Sequence, residues 1–215
     1  MNRLHDSLRP LYEKEISAYV HDPWITRDDY IDILMDRDVK NIETFFSRHA
    51  IGNLSGEEKV KILKLLEMQR HSMLMYTSCG WFFDEITGIE TIQIMYYAAC
   101  AIQKARELWG MDFETDYMNI LEQAQGNDPE FSNGKIVYQK FVQPAITDLT
   151  RVGAHYAVSS LFTEYPETIS LFCYTASSKM FEHKTAGNTR LAIGKAQVYS
   201  HITWEEKDIS FAILH

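Results

Sequence analysis

The chain has 215 residues, of which 46% are apolar and 24% are charged, a composition that can form a packed core and is not typical of disordered proteins. Its 21 Lys and Arg against 30 Asp and Glu give a formal charge of -9 with scattered basic residues, which argues against a nucleic-acid partner. No apolar run approaches the roughly 18 residues of a membrane-spanning helix, and the cysteine usage without a signal segment favours the cytoplasm.

The first part of the chain predicts helices joined by short turns. Apolar residues at helical spacing indicate an opening helix, and Pro23 ends it because a proline pushes its predecessor out of helical geometry. Thr26 followed by Asp29 predicts the capped start of a short helix at 30–35. A further helix is predicted at 41–49.

Two long helices follow, each with a recognisable end. Ser55 with Glu58 three residues later is a capping-box signature, and the apolar run at 60–74 predicts a helix that is buried on nearly all sides. Apolar residues then recur at helical spacing over 92–102, and this helix is predicted to end at Gly110.

The next segments predict two more helices separated by a loop. A helix is indicated at 117–124, and a cluster of turn residues at 126–134 predicts a surface loop. The last helix is predicted at 136–162. Pro144 must kink it or split it in two, because proline removes a backbone donor and clashes with the preceding turn.

The apolar pattern changes near residue 165, where strand-forming residues begin to dominate. Three antiparallel strands are predicted, at 169–175, 190–200 and 209–214. The third reaches the last residue, so we expect the truncated start of a further sheet.

The predicted fold class is therefore mainly α. We expect a helical bundle domain of about six to seven helices over residues 1–165 and a short antiparallel β segment over residues 166–215.

Motifs for phosphate, metal and nucleophile chemistry are absent from the sequence. No glycine-rich phosphate loop, HExxH or GxSxG occurs. His183 lies beside Glu182 in a polar stretch, which favours a solvated loop over a metal ligand. We expect no cofactor, no metal and no catalytic residue within this chain.

The densest polar segment lies around the end of the long helix at 60–74. Glu67 is at pairing distance from Arg70 or His71, which is typical of an ion pair flanking a core helix. A thiol enzyme using Cys79 and His71 is a further hypothesis. A buried structural thiol is preferred, because the helix C-terminus disfavours a thiolate.

Three aromatic residues and two carboxylates follow within five positions. Trp81, Phe82 and Phe83 could cover the apolar face of a sugar ring while Asp84 and Glu85 accept hydroxyl hydrogen bonds. The adjacent carboxylates point in different directions on a regular backbone, so they make a poor catalytic pair. A hydrophobic hinge that locks two helices together explains the aromatic residues equally well, and both interpretations stay open.

The stretch 66–85, LEMQRHSMLMYTSCGWFFDE, resembles a domain of unknown function found in glycoside hydrolase family 57 proteins, which include α-amylase-like and α-mannosidase-like proteins. The resemblance extends over nearly the whole chain. The other segments that carry it are HDPW at 21–24, RDDY at 27–30, GIET at 88–91, KFVQPA at 140–145 and VGAHYA at 152–157.

The resemblance implies a distorted seven-stranded barrel, N-terminal to this region, with a glutamate nucleophile and an aspartate acid that act on α-glucans. A helical region then closes the cleft, and a Trp-containing segment in it contributes to substrate subsites. The counterpart here is SCGW at Ser78–Trp81. Trp81, with Phe82, Asp84 and Glu85 as neighbours, is therefore expected to bind substrate.

The chain lacks the alternation of strands and helices of such a barrel, so the catalytic carboxylates are expected outside it. The predicted function is a non-catalytic accessory segment that forms part of the α-glucan cleft wall. Its expected partners are the N-terminal catalytic barrel of the parent protein and an α-glucan. The alternative is a structural or interaction scaffold that never contacts sugar.

Overall fold

The computed structural model describes all residues, 1–215, and the chain folds into two compact units, Met1–Ile146 and Thr147–His215. Unit 1 is helical, and unit 2 combines a helix with a four-stranded antiparallel sheet. The predicted mainly α fold, a helical bundle with a small β element, is therefore wrong. The chain is of mixed α/β class.

Helices of very different length build unit 1. They are α1 (Asn2–Ile16), α2 (Pro23–Asp29), α3 (Ile31–Met35), α4 (Val39–His49), α5 (Gly56–Leu74), α6 (Ile89–Trp109), α7 (Glu114–Leu121) and α8 (Gly134–Val137). Short 3-10 turns occupy Ser78–Trp81, Pro129–Phe131 and Gln143–Ala145, and a π-helical turn occupies Tyr138–Val142. None of the helices combines the length and the apolar character needed to cross a membrane.

Helices α5 and α6 form the centre of unit 1, and the predicted start of α5 and the predicted end of α6 are both present. The Ser55 hydroxyl accepts a hydrogen bond from the Glu58 amide at 3.2 Å, and the Glu58 carboxylate accepts one from the Ser55 amide at 2.7 Å. Gly110 ends α6 in the left-handed conformation, with φ of 69°. The buried side of α6 is rich in small residues, which permit close approach to α5: Ala98, Ala99, Ala101 and Ala105.

Helix α1 already ends at Ile16, so the prediction that Pro23 ends it is wrong, and the segment around Pro23 begins a new helix instead. The carboxylate of Asp22 caps α2 by accepting hydrogen bonds from the amides of Trp24 at 2.8 Å and Ile25 at 2.9 Å. Pro23 occupies the first turn, where its missing N–H costs no hydrogen bond. The predicted cap Thr26 lies buried inside α2 and is wrong, whereas the short helix predicted at 30–35 is present as α3.

The helix predicted over 136–162 is split, as Pro144 requires. After α8 and the π-helical turn, the 3-10 turn Gln143–Ala145 leads to extended backbone at Ile146. Helix α9 (Leu149–Ser159) then begins afresh, with the Asp148 side chain accepting a hydrogen bond of 2.7 Å from the next turn.

Unit 2 places α9 on one face of a sheet with strand order β1-β2-β3-β4. The strands are β1 (Thr168–Leu171), β2 (Tyr174–Ala186), β3 (Thr189–Ser200) and β4 (Glu206–Leu214). Alternate residues of β3 are buried, and Leu149, Val152 and Tyr156 of α9 pack against that face.

Only the first residues of strand β2 were predicted, because the composition of β2 is polar and its outer half is exposed. It forms through tertiary context: pairing with β3 along its whole length, and with β1 over Tyr174–Ser177, outweighs its weak intrinsic propensity. A two-residue turn joins it to β3, with Gly187 at φ of 60° in the first central position.

Candidate functional site

The aromatic loop, residues 78–88, connects α5 to α6 and carries the predicted substrate-binding residues. Trp81 is 58% exposed, Phe82 80% and Phe83 56%. The rings of Phe82 and Phe83 lie edge to face with centroids 5.0 Å apart. The structure therefore leaves all three aromatic side chains at the surface.

The base of the aromatic loop is held by the rest of unit 1. A Cβ atom at Gly80 would lie 2.4 Å from the side chain of Ile94 on α6, so only glycine permits this close approach. On the other side, Ile86 packs over Gly126 and Gly134. The exposed rings are therefore presented from an anchored base.

Hydrogen bonds fix individual positions of the loop. The indole N–H of Trp81 donates a hydrogen bond to the carbonyl oxygen of Met75 at 3.3 Å. This bond uses the edge of the ring and not its faces. The amide of Asn127 donates to the carbonyl oxygen of Asp84 at 2.8 Å. Asp84, which follows Phe83 in the chain, is itself exposed.

Glu85 has a different environment from its neighbour Asp84. Its carboxylate accepts hydrogen bonds from the backbone amide of Thr87 at 2.9 Å and from the Thr87 hydroxyl at 3.0 Å. These bonds to Thr87 lower the pKa of Glu85. One oxygen of Glu85 thus shapes the loop, whereas Asp84 presents its carboxylate to solvent.

A second polar cluster surrounds Glu67 in the interior of unit 1. Glu67 is 2% exposed, and its carboxylate accepts hydrogen bonds from Tyr30 at 2.7 Å, Arg37 at 2.8 Å and Arg70 at 3.0 Å. The predicted pairing with Arg70 is confirmed. Tyr30 and Arg37 were not predicted, because they lie on another part of the chain and no local spacing links them to Glu67.

Burial raises the pKa of Glu67, but the hydrogen bonds from Tyr30 and Arg37 and the charges of Arg70 and His71 outweigh burial and lower it. The carboxylate is therefore ionised at neutral pH. With every partner already inside the protein, the cluster is suited to holding α5 against the α2–α4 region. A cavity of about 340 Å³ lies beside it and is also lined by Tyr30 and Arg70.

The hypothesis of a thiol enzyme finds no matching geometry. Cys79 is exposed, and its sulfur contacts the Thr77 hydroxyl at 3.9 Å. The His71 ring instead contacts the carbonyl oxygen of Glu67 at 2.8 Å and packs near Tyr97. The preferred interpretation of Cys79 as a buried thiol is also wrong, because the short turn after α5 leaves it at the surface.

Comparison with known families adds one match. The family described as a domain of unknown function, DUF3536, matches residues 1–215. No curated protein and no solved structure is similar enough to be recognised as a relative.

Proposed function

The chain belongs to the DUF3536 family, and we propose that its aromatic loop binds α-glucan as the non-catalytic wall of a substrate cleft. The parent protein in this proposal is a longer carbohydrate-active protein of the family 57 type, whose barrel supplies the catalytic carboxylates. The observation that carries the proposal is the exposure of Trp81, Phe82, Phe83 and Asp84, which are consecutive in the loop.

The chemistry of a sugar ring matches this surface. One face of a pyranose presents C–H groups that an aromatic ring covers, and its hydroxyl groups donate hydrogen bonds to a carboxylate. Three neighbouring aromatic side chains left in water are unfavourable unless a ligand or partner covers them. Trp81 and Phe82 would supply the stacking, and Asp84 the acceptor.

Catalysis is not part of the proposed role. Glycosidases place two carboxylates on opposite sides of the scissile bond, about 5 Å or more apart across the sugar. Asp84 and Glu85 are adjacent in the chain, and one oxygen of Glu85 already accepts two hydrogen bonds from Thr87. The loop can position a glucan but does not offer the acid and nucleophile of a hydrolase.

The test is calorimetric titration with maltooligosaccharides, in which the unsubstituted chain is compared with Trp81→Ala and Phe82→Ala. Loss of a stacking ring is expected to weaken binding by about tenfold or more, as for a central aromatic contact at an interface. Phe172→Ala is the matched control, because Phe172 is a fully exposed aromatic side chain in unit 2.

Binding that is unchanged in both loop variants would contradict the proposal. If the unsubstituted chain does not bind, the titration is repeated on the longer parent protein. Failure to bind there as well would reject a glucan-contacting role.

A structural or interaction scaffold is the second candidate, and the exposure of Ile89 favours it. Ile89 is 77% exposed and follows the aromatic loop directly, so it extends the apolar surface beyond what a sugar needs. In this case the loop packs against a partner domain. Protection of residues 81–89 from hydrogen exchange in the full-length protein without glucan would support the scaffold.

A further inference from the structure

Unit 2 contains a cavity of about 280 Å³ between the end of α9, the segment before β1 and the middle of β2. It lies in a different unit from the aromatic loop, and no motif of the sequence pointed to it. Its lining combines aromatic, hydroxyl and charged side chains, among them Tyr156, Thr163, Tyr165, Glu167, Lys179 and Phe181.

The apolar part of the cavity is built from packed aromatic rings. Tyr156 and Tyr165 are stacked, with centroids 5.7 Å apart and planes inclined by 21°. Phe181 is 41% exposed and packs against Phe211, with ring centroids 6.4 Å apart. The cavity therefore has flat aromatic walls whose positions are fixed by neighbouring rings.

The polar part of the cavity is formed by hydroxyl and charged side chains. Tyr156 is only 3% exposed, but its hydroxyl, which makes no hydrogen bond within the protein, is not fully enclosed. It can therefore form a hydrogen bond with a ligand in the cavity. Thr163, Glu167 and Lys179 are exposed and add further donors and acceptors.

A β-bulge in β2 shapes the same cavity. The register between β2 and β3 shifts between Ser178 and Met180, and as a result Phe181 lies opposite Gly194 on the face that packs against α9. A Cβ atom at Gly194 would lie 2.7 Å from the carbonyl oxygen of Met180 and 2.6 Å from the ring of Phe211. The bulge and the glycine together place the Phe181 ring at the cavity.

We propose that this cavity binds one pyranose ring of a neutral carbohydrate. The charges of Glu167 and Lys179 cancel, which suits an uncharged ligand, and the hydroxyl and charged groups supply both donors and acceptors. The aromatic walls match the C–H face of a sugar ring, which a small zwitterion lacks. The volume lies just below the roughly 300–1,000 Å³ of sites for larger ligands, so a single ring fits.

The proposal is independent of the aromatic loop, and its test uses the whole chain of 215 residues. Saturation-transfer NMR and calorimetry are performed with methyl α-D-glucopyranoside, methyl α-D-mannopyranoside and methyl β-D-galactopyranoside. We expect saturable binding of at least one glycoside. Tyr156→Phe should weaken it about three- to tenfold by removing one hydrogen bond, and Tyr165→Ala should abolish it.

Two controls separate this site from other effects. Tyr199→Phe removes a hydroxyl from β3 opposite Thr175, outside the cavity, and should leave binding unchanged. Trp81→Ala should also leave it unchanged, so failure of the aromatic-loop proposal and failure of this one are distinguishable. Glu167→Gln provides a second cavity variant at an exposed position that does not contribute to the core.

The proposal is overturned if no glycoside binds saturably, or if binding persists in Tyr156→Phe, Tyr165→Ala and Glu167→Gln. Saturable binding of glycine in place of the glycosides would also overturn it, because the site would then recognise a zwitterion. Amide spectra of each variant establish that it is folded before its affinity is interpreted.

Discussion

The hydroxyl group of Tyr30 donates a hydrogen bond of 2.7 Å to the carboxylate of Glu67, across 37 positions of the sequence. Arg37 reaches the same carboxylate at 2.8 Å. Because Glu67 projects from the interior of α5, these contacts tie the α2–α4 region to the central helix of unit 1. A buried carboxylate is tolerable only with such partners, since an unpaired buried charge is strongly destabilising.

Glu67→Gln is expected to lower the free energy of unfolding by about 3–5 kcal/mol, because it leaves the guanidinium groups around it without their counter-charge. Tyr30→Phe removes a single hydrogen bond to a charged group and should cost about 1.5–3 kcal/mol. Urea denaturation at pH 7 measures both. If both variants lower the free energy of unfolding only slightly and by the same amount, the hydrogen bonds of the cluster do not stabilise the fold and the prediction is wrong.

Stability should decrease as the pH falls below about 6.5, in part through His71. Burial lowers the pKa of His71 more than the nearby Glu67 carboxylate raises it. As the pH drops, the unfolded chain therefore binds a proton that the folded chain does not, and the folded state loses relative stability until the pH reaches the lowered pKa.

His71→Gln should flatten the pH dependence of the unfolding free energy between pH 6.5 and pH 5, the range below the ordinary histidine pKa of about 6.5. The measurement is a series of urea denaturations across that range for the parent and the variant. Parallel curves for the two proteins would contradict the assignment to His71.

Gln69 is buried in α5 at 1% exposure, and neither its amide nitrogen nor its amide oxygen has a hydrogen-bond partner. Gln69→Met keeps the length of the side chain and removes the unsatisfied groups, so it should stabilise the chain by about 1–3 kcal/mol. Thermal and urea unfolding measure the gain. Gln123→Met, at an exposed position, is the control and should change stability by about 0.5 kcal/mol or less.

Phe172 occupies the turn between β1 and β2 with φ of 56° and is fully exposed. A residue with a Cβ atom is disfavoured in this left-handed conformation by roughly 1–2 kcal/mol, and the exposed ring gains no burial in return. Phe172→Gly should therefore raise the unfolding temperature. Phe172→Ala keeps the Cβ atom and should not, so an equal gain in both variants would trace the effect to the ring instead.

Local signals in the sequence determined the ends of several elements. The capping box of Ser55 and Glu58, the helix end at Gly110 and the break at Pro144 each depend on neighbouring residues, so their geometry follows from short-range sterics and hydrogen bonds. The sequence also determined that Trp81 to Phe83 stand next to carboxylates. It did not determine whether those rings would be buried.

Only the tertiary structure decided the remaining features, because they depend on contacts between distant segments. Polar β2 becomes a strand since β3 pairs with it along its whole length and β1 pairs with its first four residues. Glu67 acquires Tyr30 and Arg37 as partners through the packing of α5. Tyr156 is one of several residues at helical spacing on α9. It lines a cavity because a bulge in β2 brings Phe181 close to it. No local sequence pattern predicts that contact.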